Sequence, residues 1–177
     1  MPTYQREVRV DAPLDDVWAF HSRIGGLEAL TPDWMHLRVE GVRGPDGDER
    51  DADAELTAGS EIDLSVRPFG VGPRQRWTSR IVRSEESDGA AVFEDVMDDG
   101  PFPAWRHAHQ FYAVDERTTL VRDRVTYELP IVRGLLGPLG RLGFEPMFRE
   151  RHRRTRRALE GWRPADGDSR AEHQRSE

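Results

Sequence analysis

Cysteine is absent from this chain of 177 residues, which excludes disulfides, thiolate nucleophiles and cysteine-ligated metals. Lysine is absent as well. All 26 basic residues are arginine, against 33 acidic residues, for a formal charge of −7. Acidic excess of this kind suits high salt, where surface charge maintains solubility. Codon preference in a GC-rich genome accounts equally for the arginines. The acidic balance argues against nucleic-acid binding, which rests on neutralising phosphates with cations. No apolar run reaches transmembrane length, and no apolar segment follows a basic start in the manner of a signal peptide. The expected location is therefore the cytoplasm, with no integral membrane association.

The length suits one domain that buries roughly 70% of the surface its unfolded chain exposes. That domain is expected over residues 1–162. Residues 163–177 are polar and aperiodic and read as a disordered tail. A first strand is expected over 3–10. Pro13 fits the first position of a helix, with Asp15 and Asp16 at its positive end and Leu14, Val17, Trp18 and His21 at helical spacing. The pair Gly25-Gly26 is expected to break this helix, and a short helix or turn follows over 27–30. Strands are expected over 35–42, 61–66, 76–83 and 91–97. Residues 43–59 read as a solvated acidic loop with almost nothing to bury. Residues 134–143 are rich in Gly and Leu and read as a loose helix lead-in, of which 134–140 serve equally as a lid over the site. A long helix is expected from Phe144 or Pro146 to Trp162, with an apolar stripe of Phe144, Met147 or Phe148, Thr155, Ala158, Leu159 and Trp162, and His152 on or beside it. Strands followed by one amphipathic helix make an α+β fold in which the sheet wraps the helix and leaves a cavity between them.

The most informative stretch runs through Trp105, His107, His109 and Phe111 and returns through Val121, Asp123, Val125, Tyr127 and Leu129. Strand periodicity is two, so each set shares one face. A three-residue turn at Asp115-Glu116-Arg117 pairs Val114 with Thr118. It also sets Phe111 opposite Val121, His109 opposite Asp123 and Trp105 opposite Tyr127. Directly opposed side chains have Cβ atoms about 4.5–5.5 Å apart, so a His109–Asp123 pair is expected. An apolar wall with a few convergent polar groups is the pattern of a small-molecule pocket.

Across residues from about Tyr4 to Trp162 the chain resembles the START-like, helix-grip proteins of the polyketide cyclase/dehydrase and lipid-transport superfamily, often called SRPBCC, and within it an uncharacterised cyclase-like subgroup. The resemblance rests on Ala12-Pro13, Val17-Trp18, Leu30-Thr31-Pro32, Gly59, Ile62, Trp77, Phe93, Asp95 and Gly100-Pro101-Phe102. It continues through the Trp-x-His-x-His-x-Phe and Asp-x-Val-x-Tyr runs, Leu129-Pro130, Phe148, Arg151 and His152. The acidic stretch 43–59 and Pro146 depart from the pattern. The resemblance implies a cavity for an apolar or amphipathic small molecule, in a superfamily that includes carriers, receptors and enzymes.

The residues expected at the site are Trp77, Asp95, Phe102, Trp105, His107, His109, Phe111, Asp123, Tyr127, Phe148, Arg151 and His152. Asp95 is placed at the cavity mouth, and Arg151 and His152 toward a ligand's anionic group. Three roles are open to the polar members. They bind a ligand headgroup, they satisfy one another's buried polarity, or they catalyse, with His109 as base, Asp123 as its orienting group and His107 or Tyr127 polarising a carbonyl. A metal held by His107, His109 and Asp123 is permitted by strand spacing, but the segment is no familiar metal motif and none is expected. No motif identifies a cofactor. The arginine run 149–157 reads as a solvated helix face. A hydrophobic ligand carrier is the first reading, a cyclase or dehydratase the second, and an interaction module using the acidic loop the third.

Overall fold

The computed structural model describes residues 1–51, 54–129 and 137–161. Strand β1 (Thr3–Val10) is followed by helices α1 (Leu14–His21) and α2 (Ile24–Leu30). Six strands come next: β2 (Arg38–Arg43), β3 (Glu61–Val66), β4 (Gln75–Ser87), β5 (Ala90–Asp98), β6 (Ala104–Asp115) and β7 (Thr118–Glu128). Helix α3 (Gly137–Gly161) closes the described chain. All strands join one antiparallel sheet in the order β1-β7-β6-β5-β4-β3-β2. This is the α+β arrangement expected from the order of elements. The expected tail 163–177, Trp162, Pro130 and the first half of the proposed lid lie outside the described residues.

Bulges at Glu40, Val82 and Val114 interrupt the ladders. Each inserts one extra residue and bends its strand, which helps a long sheet curve over a helix. The third corrects the turn expected from sequence. Thr118 pairs with Asp115 rather than Val114, so Val114 bulges outward and the loop is Glu116-Arg117. Because Val114 is skipped, every pair deeper in the hairpin keeps the expected register.

Several helix boundaries also differ from expectation. Pro13 caps α1 from outside, with ψ at 152°, rather than starting it. The break between α1 and α2 falls at Ser22-Arg23. Gly25 and Gly26 lie inside α2, where Gly26 lets the helix approach the Phe20 carbonyl. The strand expected from residue 35 starts at Arg38, after a short 3-10 turn over Asp33–Met35. Helix α3 begins at Gly137, ahead of the expected start, because burial of its later apolar stripe outweighs the weak propensity of its glycines. That stripe is Phe144, Phe148, His152, Thr155 and Leu159, all buried, so His152 is a full member of it.

The stretch 43–59 is not only a solvated loop. Leu56 is 3% exposed and joins the core. Its N–H donates to the Ser22 carbonyl at 2.8 Å, and the Gly59 N–H to the Ile81 carbonyl at 2.8 Å. One apolar residue and two backbone bonds thus tie the loop to the α1–α2 break and to β4.

The core forms two apolar clusters. One gathers Trp18 and Val17 of α1 with Ile81, Phe93, Phe111 and Val121 of the sheet. The other gathers Tyr4, Val125, Tyr127, Phe144 and Phe148. At the edge, the Tyr4 hydroxyl donates to Glu145 Oε2 at 2.7 Å, joining β1 to α3. Asp123 lies on β7 between Val121 of the first cluster and Val125 of the second.

Candidate functional site

A cavity of about 390 Å³ lies between the sheet, α2 and α3. Its apolar wall draws on residues at period two along β3 and β4, including Ile62, Leu64, Trp77 and Ile81. Leu27 and Leu30 of α2 and Phe144, Met147 and Phe148 of α3 complete it. Asp95, His107 and His109 on β5 and β6 and Arg151 on the facing turn of α3 form one polar cluster. His21, Arg23, Thr31, Gln75 and Ser79 add further polar groups to the wall.

The arrangement there follows from register. Asp95 of β5 pairs directly with His107 of β6, and His109 of β6 pairs directly with Asp123 of β7. Two histidines on one strand are thus flanked by a carboxylate on each neighbour. Asp123 is 1% exposed. His107 Nε2 donates to its Oδ1 at 2.9 Å, and His152 Nε2 of α3 donates to its Oδ2 at 2.5 Å. His109 Nδ1 lies only 2.7 Å from Oδ1, but off the line of a hydrogen bond, so that buried nitrogen has no well-formed partner among the described residues. Arg151 Nε stands 3.9 Å from Oδ2.

On the other side of the histidines, Asp95 Oδ1 is 3.9 Å from both His107 Nδ1 and His109 Nε2. Asp95 Oδ2 accepts from the Ser79 hydroxyl at 3.2 Å. The two imidazole rings are close, with centroids 3.9 Å apart.

These surroundings set the charge states. Burial pushes the Asp95 carboxyl up. Burial opposes ionisation of Asp123 more strongly than any other single influence. Even so, the adjacent His109 and the hydrogen bonds from the histidines outweigh it together and hold the carboxyl well below its usual range. Burial, with His107 alongside, pushes His109 well below the ordinary imidazole range, so its ring is neutral. His21 is pushed down to about 4, mainly by burial, with the Arg151 charge adding to it. Its Nδ1 donates to the Val17 carbonyl at 2.7 Å.

The expected site residues divide into two groups. Trp77, Asp95, Phe102 and Trp105 line the cavity, as do His107, His109, Phe148 and Arg151. Asp95 lies beside both histidines rather than at the mouth. Four others do not reach the cavity wall. Phe111 is fully buried in the first cluster against Trp18 and His21. Tyr127 is fully buried in the second, with no hydrogen-bond partner for its hydroxyl among the described residues, so it is not placed to polarise a carbonyl in the cavity. Asp123 and His152 stand behind His107 and His109, and Asp123 reaches the cavity through those histidines and Arg151. The outward arginines 149, 153, 156 and 157 are exposed, as expected.

Sequence reasoning missed His21, Leu27, Leu56, Ile62, Leu64 and Phe144 as cavity residues. The period-two run Ile62, Leu64, Val66 was a usable signal. Leu56, a single apolar residue amid acidic ones, gave none.

Residues 10–156 match the family described as polyketide cyclase / dehydrase and lipid transport. Several solved structures share the fold. A START superfamily protein from Mycobacterium smegmatis has a TM-score of 0.61 at 13% identity, over 89% of this chain and 97% of that one. A protein from Chromobacterium violaceum has 0.61 at 13%, over 89% and 96%. Truncated norcoclaurine synthase from Thalictrum flavum has 0.61 at 15%, over 92% and 95%. No curated protein sequence matches at significance. No helix among the described residues is long and apolar enough to cross a membrane.

Proposed function

The chain belongs to the polyketide cyclase / dehydrase and lipid transport family, and from that premise we propose that it binds an apolar or amphipathic small molecule, such as a lipid, isoprenoid or polyketide, between the sheet and α3. The observation that carries this reading is the cavity itself. Its volume of about 390 Å³ falls within the usual range for small-molecule sites, roughly 300–1,000 Å³. Its wall is mainly aliphatic and aromatic, with one polar cluster formed by Asp95, His107, His109 and Arg151. An apolar body would pack between Leu64, Trp77 and Phe148, with a polar head toward His107, His109 and Arg151. Native mass spectrometry of gently purified protein, followed by analysis of what denaturation releases, tests it. A stoichiometric organic molecule of a few hundred daltons is expected. Leu64→Trp, which fills the cavity, should abolish its retention. Retention by Leu64→Trp at the level of the parent protein would overturn the reading.

A cyclase or dehydratase is the second reading. It is favoured by the position of His109, whose Nδ1 faces the Asp123 carboxylate while Nε2 faces Asp95 at the cavity wall. His109 would take a proton next to a carbonyl, with Asp123 stabilising the imidazolium. Its depressed basicity keeps it neutral and receptive, but also weak as a base. If His109→Ala loses turnover of a retained compound while still binding it, the enzyme reading stands. If only affinity changes, the carrier reading stands.

A further inference from the structure

We propose that Asp95, His107 and His109 bind a divalent transition-metal ion on the polar wall of the cavity. One ligand atom from each lies within 4.8 Å of the other two. Both contacts to Asp95 Oδ1 are 3.9 Å, too long for hydrogen bonds. An ion with bonds of about 2.0–2.2 Å can hold two ligand atoms at most about 4.4 Å apart. A small contraction of three side chains closes the set.

Proton placement argues for a cation more strongly than distance does. His107 Nε2 donates to Asp123, so in the neutral ring the Nδ1 that faces Asp95 is the acceptor a cation requires. His109 Nδ1 lies 2.7 Å from the same Asp123 oxygen but out of line with it; a small ring rotation would make Nδ1 the donor there and leave Nε2 as the acceptor toward Asp95. In that arrangement two lone pairs and a carboxylate oxygen converge with no donor between them. A proton on Asp95 would serve only one of the two histidines. A divalent cation serves all three acceptors.

The supporting shell fits as well. Histidines that ligate a metal commonly donate their other nitrogen to a carboxylate, which fixes the tautomer. Asp123 stands in that position for His107, lies beside His109 Nδ1, and is itself held by His152. Ser79 occupies Asp95 Oδ2 and leaves Oδ1 for the ion. Imidazole and carboxylate donors without sulfur suit zinc or ferrous iron. Three protein ligands leave the remaining coordination positions to the cavity, where a ligand oxygen can enter. Asp95 and Asp123 bring two carboxylates to the cluster against the Arg151 guanidinium beside Asp123, so a divalent ion is electrostatically welcome. The ligand set weighed from sequence, and not expected to hold a metal, had Asp123 as its third member. The β5–β6 register puts Asp95 there instead.

A metal at this position does not depend on what fills the cavity, so it and the carrier reading fail separately. The test is titration of chelator-treated full-length protein with Co(II), followed by visible spectroscopy. One ion per chain is expected, with ligand-field bands of a nitrogen–oxygen site. Asp95→Asn should weaken it about 100-fold or more, and Asp123→Asn about 10–100-fold. Should either variant not fold, proton NMR of the Co(II)-loaded parent protein decides. Two exchangeable, paramagnetically shifted imidazole protons are expected, from His107 Nε2 and His109 Nδ1. No saturable uptake at millimolar Co(II), parental affinity in Asp95→Asn, or absence of the two shifted protons would each overturn the proposal.

Discussion

Asp123 sits directly opposite His109 in the β6–β7 register, yet its well-formed hydrogen bond to that strand comes from His107, one pair away on the diagonal. The other carboxylate oxygen takes the His152 N–H from α3. One buried carboxylate thereby joins two strands and the long helix at the boundary between two apolar clusters. Its place in the fold is a polar joint, and its influence on the cavity passes through the two histidines and Arg151.

Removing that joint should be costly. Asp123→Ala leaves the His107 and His152 donors unpaired in the interior, and Arg151 nearby without its counter-charge. Breaking a buried charge network from one side costs about 3–5 kcal/mol. Asp123→Asn keeps an acceptor oxygen and should lose less. Urea unfolding at neutral pH checks both. A loss below about 1 kcal/mol for the alanine variant, the scale of an ordinary hydrogen bond, would mean that the joint is not structural.

The adjacent glycines of α2 should behave in opposite ways. A Cβ at Gly26 would overlap the Phe20 carbonyl oxygen, which is backbone and cannot swing aside. A Cβ at Gly25 meets nothing within 4 Å. Gly26→Ala should therefore destabilise, by about 1–3 kcal/mol for an overpacked site. Gly25→Ala should stabilise by up to about 1 kcal/mol through helix propensity. Thermal melts of the two variants give the comparison. Equal effects would mean that α1 and α2 are not in close contact there.

Leu56 tests whether the acidic stretch is part of the fold. Leu56→Ala should cost about 2–5 kcal/mol, as for other buried leucines, although the residue stands among acidic and small neighbours. Ala58→Ser, at an exposed position nearby, should be neutral within about 0.5 kcal/mol. Denaturant midpoints of the pair settle the matter.

What was legible in the sequence follows the length scale of each interaction. The β6–β7 register could be read because alternation of Trp105, His107, His109 and Phe111 meets alternation of Val121 to Tyr127, and a slip would expose one set. The Val114 bulge was not legible, since a bulge leaves the deeper pattern unchanged. Asp95 was recognised as a site residue but placed at the mouth. Its true position depends on how β5 pairs across the turn at residues 99–103, whose proline-rich sequence fixes no loop length. His152 on Asp123 is a contact between helix and sheet 29 residues apart, and only the packed tertiary structure brings it about. The start of α3 was misjudged because Gly137 to Gly143 has poor propensity, and the packing that overrides it lies further along the helix.

His21 should make the protein acid-sensitive in a defined window. Its folded pKa is about 4 against an unfolded value of 6.5, chiefly through burial and the Arg151 charge, opposed by the Val17 carbonyl and Asp123. Between these values the unfolded chain binds a proton that the folded chain refuses. Stability from this group is therefore complete above pH 6.5 and declines as pH falls. The decline stops near pH 4, after a loss of about 3 kcal/mol. His21→Gln removes the titration while keeping a side-chain donor for the Val17 carbonyl. The slope of unfolding free energy against pH should drop by about one proton in the variant across that window, and remain parental above pH 7. Chemical denaturation at several pH values from 4 to 8 reads this directly. An unchanged slope would mean that His21 is hydrated through the cavity it lines.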